Sequence, residues 1–181
     1  SIDTILDMAQ YKETGNCKAL IVTGCLSERY SEELLQELPE VDAVVGTGDF
    51  DRIVDIVNRT TGGERLREVT HKTISYDRDL PRVVSTGNHS AYIKIAEGCD
   101  HTCAFCVIPS LRGPYRSRSM ESIIEEAKRL AKQGTKEIVL IAQDTSAYGL
   151  DLYRAAMLPE LLRKLCRIEG IEIGRASCRE R

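Results

Sequence analysis

The stretch AEGCDHTCAFCVIPSLRG, Ala96 to Gly113, sets Cys99, Cys103 and Cys106 within eight residues, in the spacing C-x3-C-x2-C. Disulfide pairing explains it poorly, because three thiols leave one over. At 181 residues and 42% hydrophobic content, the chain can build a core without covalent staples. No charged-then-apolar leader opens it, and no apolar run approaches the roughly 18 residues needed to span a bilayer. The chain reads as cytoplasmic, where thiols stay reduced and clustered cysteines bind metal or do redox work. A net charge of -3 offers no electrostatic grip on nucleic acid.

The flanking segments predict α/β architecture. Before the cysteines, AYIKIAEG reads as a strand. After them, SMESIIEEAKRLAKQG reads as a helix with Ser119 as N-cap and Gly134 at its C-terminal end. KEIVLIAQ is the next strand, and MLPELLRKLCRIEG the next helix, with Pro159 in its first turn. Nearer the amino terminus, residues 1–15 read as a helix, CKALIVTGC as a buried parallel strand and SEELLQEL as a helix capped by Ser31. VDAVVG is a further strand and GDFDRIVDIVNR a helix with Asp49 near its start. Alternating strand and helix predicts parallel sheets with right-handed crossovers. Residues 60–88 are polar, contain TGGER and DLPR, and read as a linker.

The last ten residues, EIGRASCRER, break the pattern of everything before them. Residues 172–181 are read as an adapter-derived scar and set aside, Cys178 with them. Removing residues 174–181 takes away three arginines and one glutamate, moving the net charge from -3 to -5.

In parallel α/β sheets, sites gather at the C-terminal ends of strands. The cysteine loop follows one predicted strand and QDTSAYG ends the next, so the two loops are expected to face one mouth. Cys25 ends a strand in the first domain. Three chemistries compete for the thiols. An iron–sulfur cube takes thiolates at its corners, and a short loop can wrap three of them, leaving one iron open to an amino and carboxylate chelate. Zinc wants four ligands, and only His101 offers a fourth. Incidental thiols are the third reading. Cys17 and Cys166 read as small core residues. His71 and His89 read as solvated. Arg112, Arg116 and Arg118 form either a solvated basic turn or a carboxylate-binding cluster.

The C-x3-C-x2-C loop resembles that of the radical S-adenosylmethionine superfamily, which holds a [4Fe-4S] cluster, and Phe105 matches the aromatic position common in that loop. Tyr92 to Arg118, YIKIAEGCDHTCAFCVIPSLRGPYRSR, is similar to the methylthiotransferase family. CVIPSLRG and QDTSAYGLDLY resemble the branch that methylthiolates an aspartate of small-subunit ribosomal protein twelve. The tRNA-modifying branch tends instead to carry PYTRG and QNVN at these places.

The resemblance implies two [4Fe-4S] clusters in the full-length parent, S-adenosylmethionine as cofactor, a ribosomal-protein substrate and an external electron donor. It implies cluster ligation by Cys99, Cys103 and Cys106. It places Phe105, Gln143, Asp144 and Thr145 as candidates for cofactor contact. VTGCLSERY makes Cys25 a ligand of an auxiliary cluster whose other cysteines are missing here. On this basis residues 1–59 are the end of an amino-terminal parallel α/β domain. Residues 89–171 are the first βα units of a partial TIM-like barrel. The alternatives are a tRNA methylthiotransferase and a non-catalytic iron–sulfur or zinc module.

Overall fold

The structure, a computed structural model, describes residues 2–70, 87 and 89–177. It divides into two compact units, Ser1–Ile74 and Ser75–Arg181. His71 and Cys178 lie outside the described residues.

The first unit is built on a parallel sheet of three strands. Helix α1 (Ile2–Thr14) leads to β1 (Ile21–Thr23), α2 (Cys25–Arg29), α3 (Ser31–Glu37), β2 (Ala43–Val45), a 3-10 turn (Phe50–Arg52), α4 (Ile53–Thr61) and β3 (Leu66–Glu68). β2 is central, with Val44 opposite Val22 of β1 and Arg67 of β3. Its side chains alternate between two cores. Val44 packs with Ile5 and Leu34 on one face, and Ala43 and Val45 pack with Ile56 on the other. A strand covered on both faces reads as an unbroken apolar run, which is why VDAVVG was legible.

Several expectations change here. The strand in CKALIVTGC is only Ile21–Thr23, and Cys25 opens a helix that was not foreseen. Ser31 is no cap: Tyr30 precedes α3, and the Ser31 hydroxyl accepts from Arg67 Nε at 2.9 Å. Asp49 makes no capping bond; its carboxylate accepts from Thr70 N at 2.8 Å and from the Thr70 hydroxyl, tying the loop after β2 to the end of β3. The third strand, Leu66–Glu68, lies inside the stretch read as linker. One buried leucine among arginines and glutamates gives β3 little apolar signal, and its pairing with β2 is carried by the backbone.

The second unit contains β4 (Ser90–Lys94), β5 (Ala96–Glu97), α5 (Ile108–Arg112), β6 (Arg116–Ser117), α6 (Met120–Lys132), β7 (Glu137–Ile141), α7 (Leu158–Leu165) and β8 (Ile173–Ser177). β4, β7 and β8 form a parallel sheet in that order, with Ile93 opposite Leu140. Ala91, Ile93, Ile138 and Leu140 form one core with Met120, Ile123, Ala127 and Leu130 of α6 and Leu161 and Leu165 of α7. The α6 positions follow the 3-4-3 spacing of a single helical face. Ser119 caps α6 through the amide of Ser122, and Gly134 leaves the helix at φ +97°.

The strand in AYIKIAEG breaks after Lys94. Ile95 N still bonds Ile141 O at 3.0 Å, but Ala96 and Glu97 turn away to pair antiparallel with Ser117 and Arg116. Cys166 lies just past α7 and is exposed, not in the core: it stands one residue, about 100° of helical turn, off the face that Leu161 and Leu165 bury. Ile173–Ser177, in the segment set aside, pairs in register with β7. All five of its residues are exposed, so it adds backbone hydrogen bonds and no core.

Candidate metal centre

The cysteine loop leaves the sheet at Gly98. This glycine has φ +82°, and a Cβ there would lie 2.6 Å from the Gly113 carbonyl oxygen and closer still to that of Pro114. No other residue type fits both the angle and the space. The close approach shuts the loop at its base, where Cys99 N donates to Gly113 O at 3.2 Å. Within the loop, Cys106 N donates to Cys103 O at 3.1 Å, a turn that sets these two side chains near each other. All three cysteines are free thiols; Cys103 is exposed, and Cys99 and Cys106 are half-buried. Phe105 stands 95% exposed at the tip.

Below the loop, Glu97 is buried between Lys94 Nζ and Arg112 Nη1, each at 2.6 Å. Burial pushes its carboxyl up, but the two cations outweigh that and hold it below its ordinary value. Arg118 is likewise committed, to Glu126 at 2.6 Å and to Lys94 O at 3.0 Å. Arg116 donates to the carbonyls of Pro114 and Arg112. The three arginines are therefore not a solvated turn: two neutralise internal carboxylates and the third ties down loop backbone.

The loop after β7 reaches the same place. His101 Nε2 lies 2.7 Å from Asp144 Oδ2. The Tyr115 hydroxyl donates to Asp144 O at 2.7 Å, and Tyr115 N donates to Asp100 Oδ1 at 2.9 Å. Burial, with the charges of Asp144 and Asp151, pushes the Tyr115 phenol well above its ordinary value, so it stays a donor. Further along, the Tyr148 hydroxyl donates to Arg118 O at 3.0 Å, and Asp151 accepts from Ser117 N and Oγ at 2.8 and 2.6 Å. The Tyr153 hydroxyl accepts from Met120 N at 2.8 Å. QDTSAYGLDLY and GPYRSRSM are thus two halves of one joint, and the loops after β4 and β7 meet as expected.

The sequence-predicted cofactor residues separate here. Gln143 Oε1 is buried with no hydrogen-bond partner. Asp144 is nearly buried and Thr145 fully so. Burial pushes the Asp144 carboxyl up, but hydrogen bonds from Ser146 and His101 bring it down to about 2. Glu97, Tyr115, Tyr148 and Asp151 were missed by sequence reasoning; only Glu97, a charge closing an apolar run three residues after Lys94, carried a visible signal.

A cube takes thiolates on separate irons, and three cysteines on one closed loop can supply them. The three free thiols on a closed loop, with an orphaned Gln143 oxygen nearby in sequence to the bracing aspartate, fit a [4Fe-4S] cluster and a polar ligand beside it.

In the first unit, Cys25 is half-buried and follows Gly24, whose φ is +120°. A Cβ on Gly24 would meet nothing, so the angle and not close approach demands glycine. Three residues on, Glu28 is buried and its Oε2 accepts from Thr47 N at 2.7 Å, joining α2 to the loop after β2.

Residues 93–178 match the Radical SAM superfamily, a range that runs past Glu172 into the tail. The chain is 53% identical over 174 residues to a "Ribosomal protein uS12 methylthiotransferase RimO" of Lachnoclostridium phytofermentans, covering 95% of this chain and 39% of that protein. A protein of the same name from Clostridioides difficile is 51% identical over 172 residues, again covering 95% and 39%. The chain thus spans about two fifths of the length of the curated relatives it matches. Among solved structures, a radical S-adenosylmethionine methyltransferase, TsrM from Kitasatospora setae, superposes with a TM-score of 0.54 at 16% identity, covering 87% of this chain and 35% of that one, a likeness of fold. Residues 93–178 thus carry the likeness to the Radical SAM superfamily, and the chain is similar over 95% of its length to proteins named RimO.

Proposed function

We propose that this chain is part of a radical S-adenosylmethionine methylthiotransferase that places a methylthio group on the β-carbon of an aspartate in ribosomal protein uS12. The observation that carries the reading is the interlocking of two motifs. The PSLRG-containing cysteine loop and the QDTSAYGLDLY loop are joined through His101–Asp144 and Tyr115–Asp144. The half-identical relatives named for uS12 methylthiotransfer support the substrate.

In this reading Cys99, Cys103 and Cys106 hold a [4Fe-4S] cluster, and Cys25 contributes to an auxiliary one. When bound, the cluster and S-adenosylmethionine supply the reductive and radical chemistry, fed by an external electron donor. The chain's own residues do the rest. Gly98 closes the loop, Glu97 fixes Lys94 and Arg112 beneath it, Gln143 offers a polar contact to the cofactor, and Phe105 offers an apolar face. Ser1–Ile74 stands as the end of the amino-terminal domain, β4 to α7 as the opening of a partial barrel, and residues 172–181 as adapter-derived. Among the described residues no helix is long and apolar enough to cross a membrane. The reading places the enzyme in the cytoplasm.

Mass spectrometry of uS12 and of tRNA nucleosides tests the substrate, in cells whose only such enzyme is the full-length parent. One methylthio group on a uS12 aspartate with unchanged tRNA is expected. A methylthio-adenosine with unmodified uS12 would move the assignment to the tRNA branch.

A further inference from the structure

We infer that Asp144 is a positioning residue that acts through His101 on the cysteine loop, and that it does not itself bind S-adenosylmethionine. The inference rests on the cluster assignment above and refines it, since Asp144 stands among the residues first read as cofactor contacts.

Both carboxylate oxygens of Asp144 are already engaged within the chain. Oδ2 meets His101 Nε2 at 2.7 Å, while Oδ1 accepts from Ser146 N at 2.9 Å and from Ser146 Oγ at 2.5 Å. Only 10% of the side chain is exposed. An ionised carboxylate accepts and cannot donate, so Nε2 of His101 carries the proton. Gln143 differs in kind: its buried Oε1 has no partner. Of two adjacent polar residues, one has an acceptor to offer a ligand and the other has spent both of its own on the protein.

His101 sits in the longer arm of the motif, between Cys99 and Cys103, where Asp100, Thr102 and Cys103 are exposed. An arm with so little burial has no packing to hold it. Asp100 Oδ1 accepts from Tyr115 N, and His101 meets Asp144, so both residues tie the arm to the rest of the unit. Tyr115 in turn donates its hydroxyl to Asp144 O, so both ties lead back to one residue at the end of β7. Groups behind metal ligands commonly set affinity in this way, by holding the ligands where the metal needs them. Ordering the arm beforehand removes an entropic cost that cluster binding would otherwise carry.

The experiment uses the full-length parent with His101→Phe, Asp144→Ala, the double variant and His101→Gln, whose amide can still donate to Asp144. Amide hydrogen exchange of residues 99–107 in the metal-free protein reads the tie without any cluster. Each single variant should exchange there about tenfold faster, the size expected for losing one charge-assisted hydrogen bond. The double variant should be no faster, and His101→Gln should fall near wild type. Iron retained after reconstitution should drop in the same order, while the KM for S-adenosylmethionine stays within about twofold of wild type.

A KM raised about tenfold by Asp144→Ala but not by His101→Phe would make Asp144 a direct ligand and overturn the inference. So would additive effects of the two substitutions on exchange. A wild-type loop that takes up no iron would sink the cluster assignment instead, and the exchange data would still decide the tie.

Discussion

Gly98 and Pro114 lie so close that a single methyl group on Gly98 would be driven into the Pro114 carbonyl oxygen. The obstacle is backbone on both sides, since the Gly113 carbonyl is next to it, and neither can swing away like a side chain. Gly98→Ala is therefore expected to destabilise the second unit by about 2 kcal/mol or more, from the left-handed angle and the clash together. Urea unfolding followed by circular dichroism measures it. A loss below about 0.5 kcal/mol would show that the base of the loop opens freely.

Tyr148 offers a cleaner hydrogen-bond test. Its ring is fully buried and its hydroxyl donates to Arg118 O. Tyr148→Phe keeps the ring and strands the carbonyl, which should cost about 1–2 kcal/mol. Tyr115→Phe strands the Asp144 carbonyl in the same way and should cost a similar amount. Unchanged stability in both would mean that water replaces the bonds.

Acid should loosen the joint between the two loops. Asp144 is held at about 2, and Asp151 below its ordinary value, where burial works upward and hydrogen bonds from Ser117 prevail. Carboxyls depressed in the folded state add stability above their unfolded value, and that contribution fades as pH falls through the folded value. Stability should therefore hold near neutrality and fall between about pH 4 and pH 2, with Asp144 contributing on the order of 1–2 kcal/mol. Asp144→Asn should flatten this part of the profile, and a profile with the same slope in the variant would assign the acid loss elsewhere.

The iron count separates the two cysteine sites. After anaerobic reconstitution these 181 residues should hold about four irons, and a full-length parent about eight, four to each cube. Cys103→Ala should abolish the characteristic visible absorption in this chain, whereas Cys25→Ala should leave it unchanged. Equal loss in both variants would show that Cys25 was assigned to the wrong cluster.

The parts of the fold that were legible in sequence are those whose side chains carry a period. Met120, Ile123, Ala127 and Leu130 mark one face of α6, and Ala43 to Val45 are apolar without interruption because β2 is covered on both sides. Leu66–Glu68 buries one leucine and Ile173–Ser177 none, so no apolar pattern announced these strands. At the site, the cysteines were visible because their chemistry depends on residue type and close spacing. The brace was not, because Asp144 and His101 stand 43 positions apart and meet only once β4 and β7 are paired. Cys166 was misread as core because it follows Leu165 directly, yet it lies off the face that Leu161 and Leu165 bury.

The edge of β7 receives Ile173–Ser177 through its main chain. Five exposed residues pair there, and Arg175 Nε reaches back to Glu137 Oε1 at 2.6 Å. Because none of the five enters the core, substitutions along Ile173–Ser177 should leave the packing of α6 and α7 against Ile138 and Leu140 as it is.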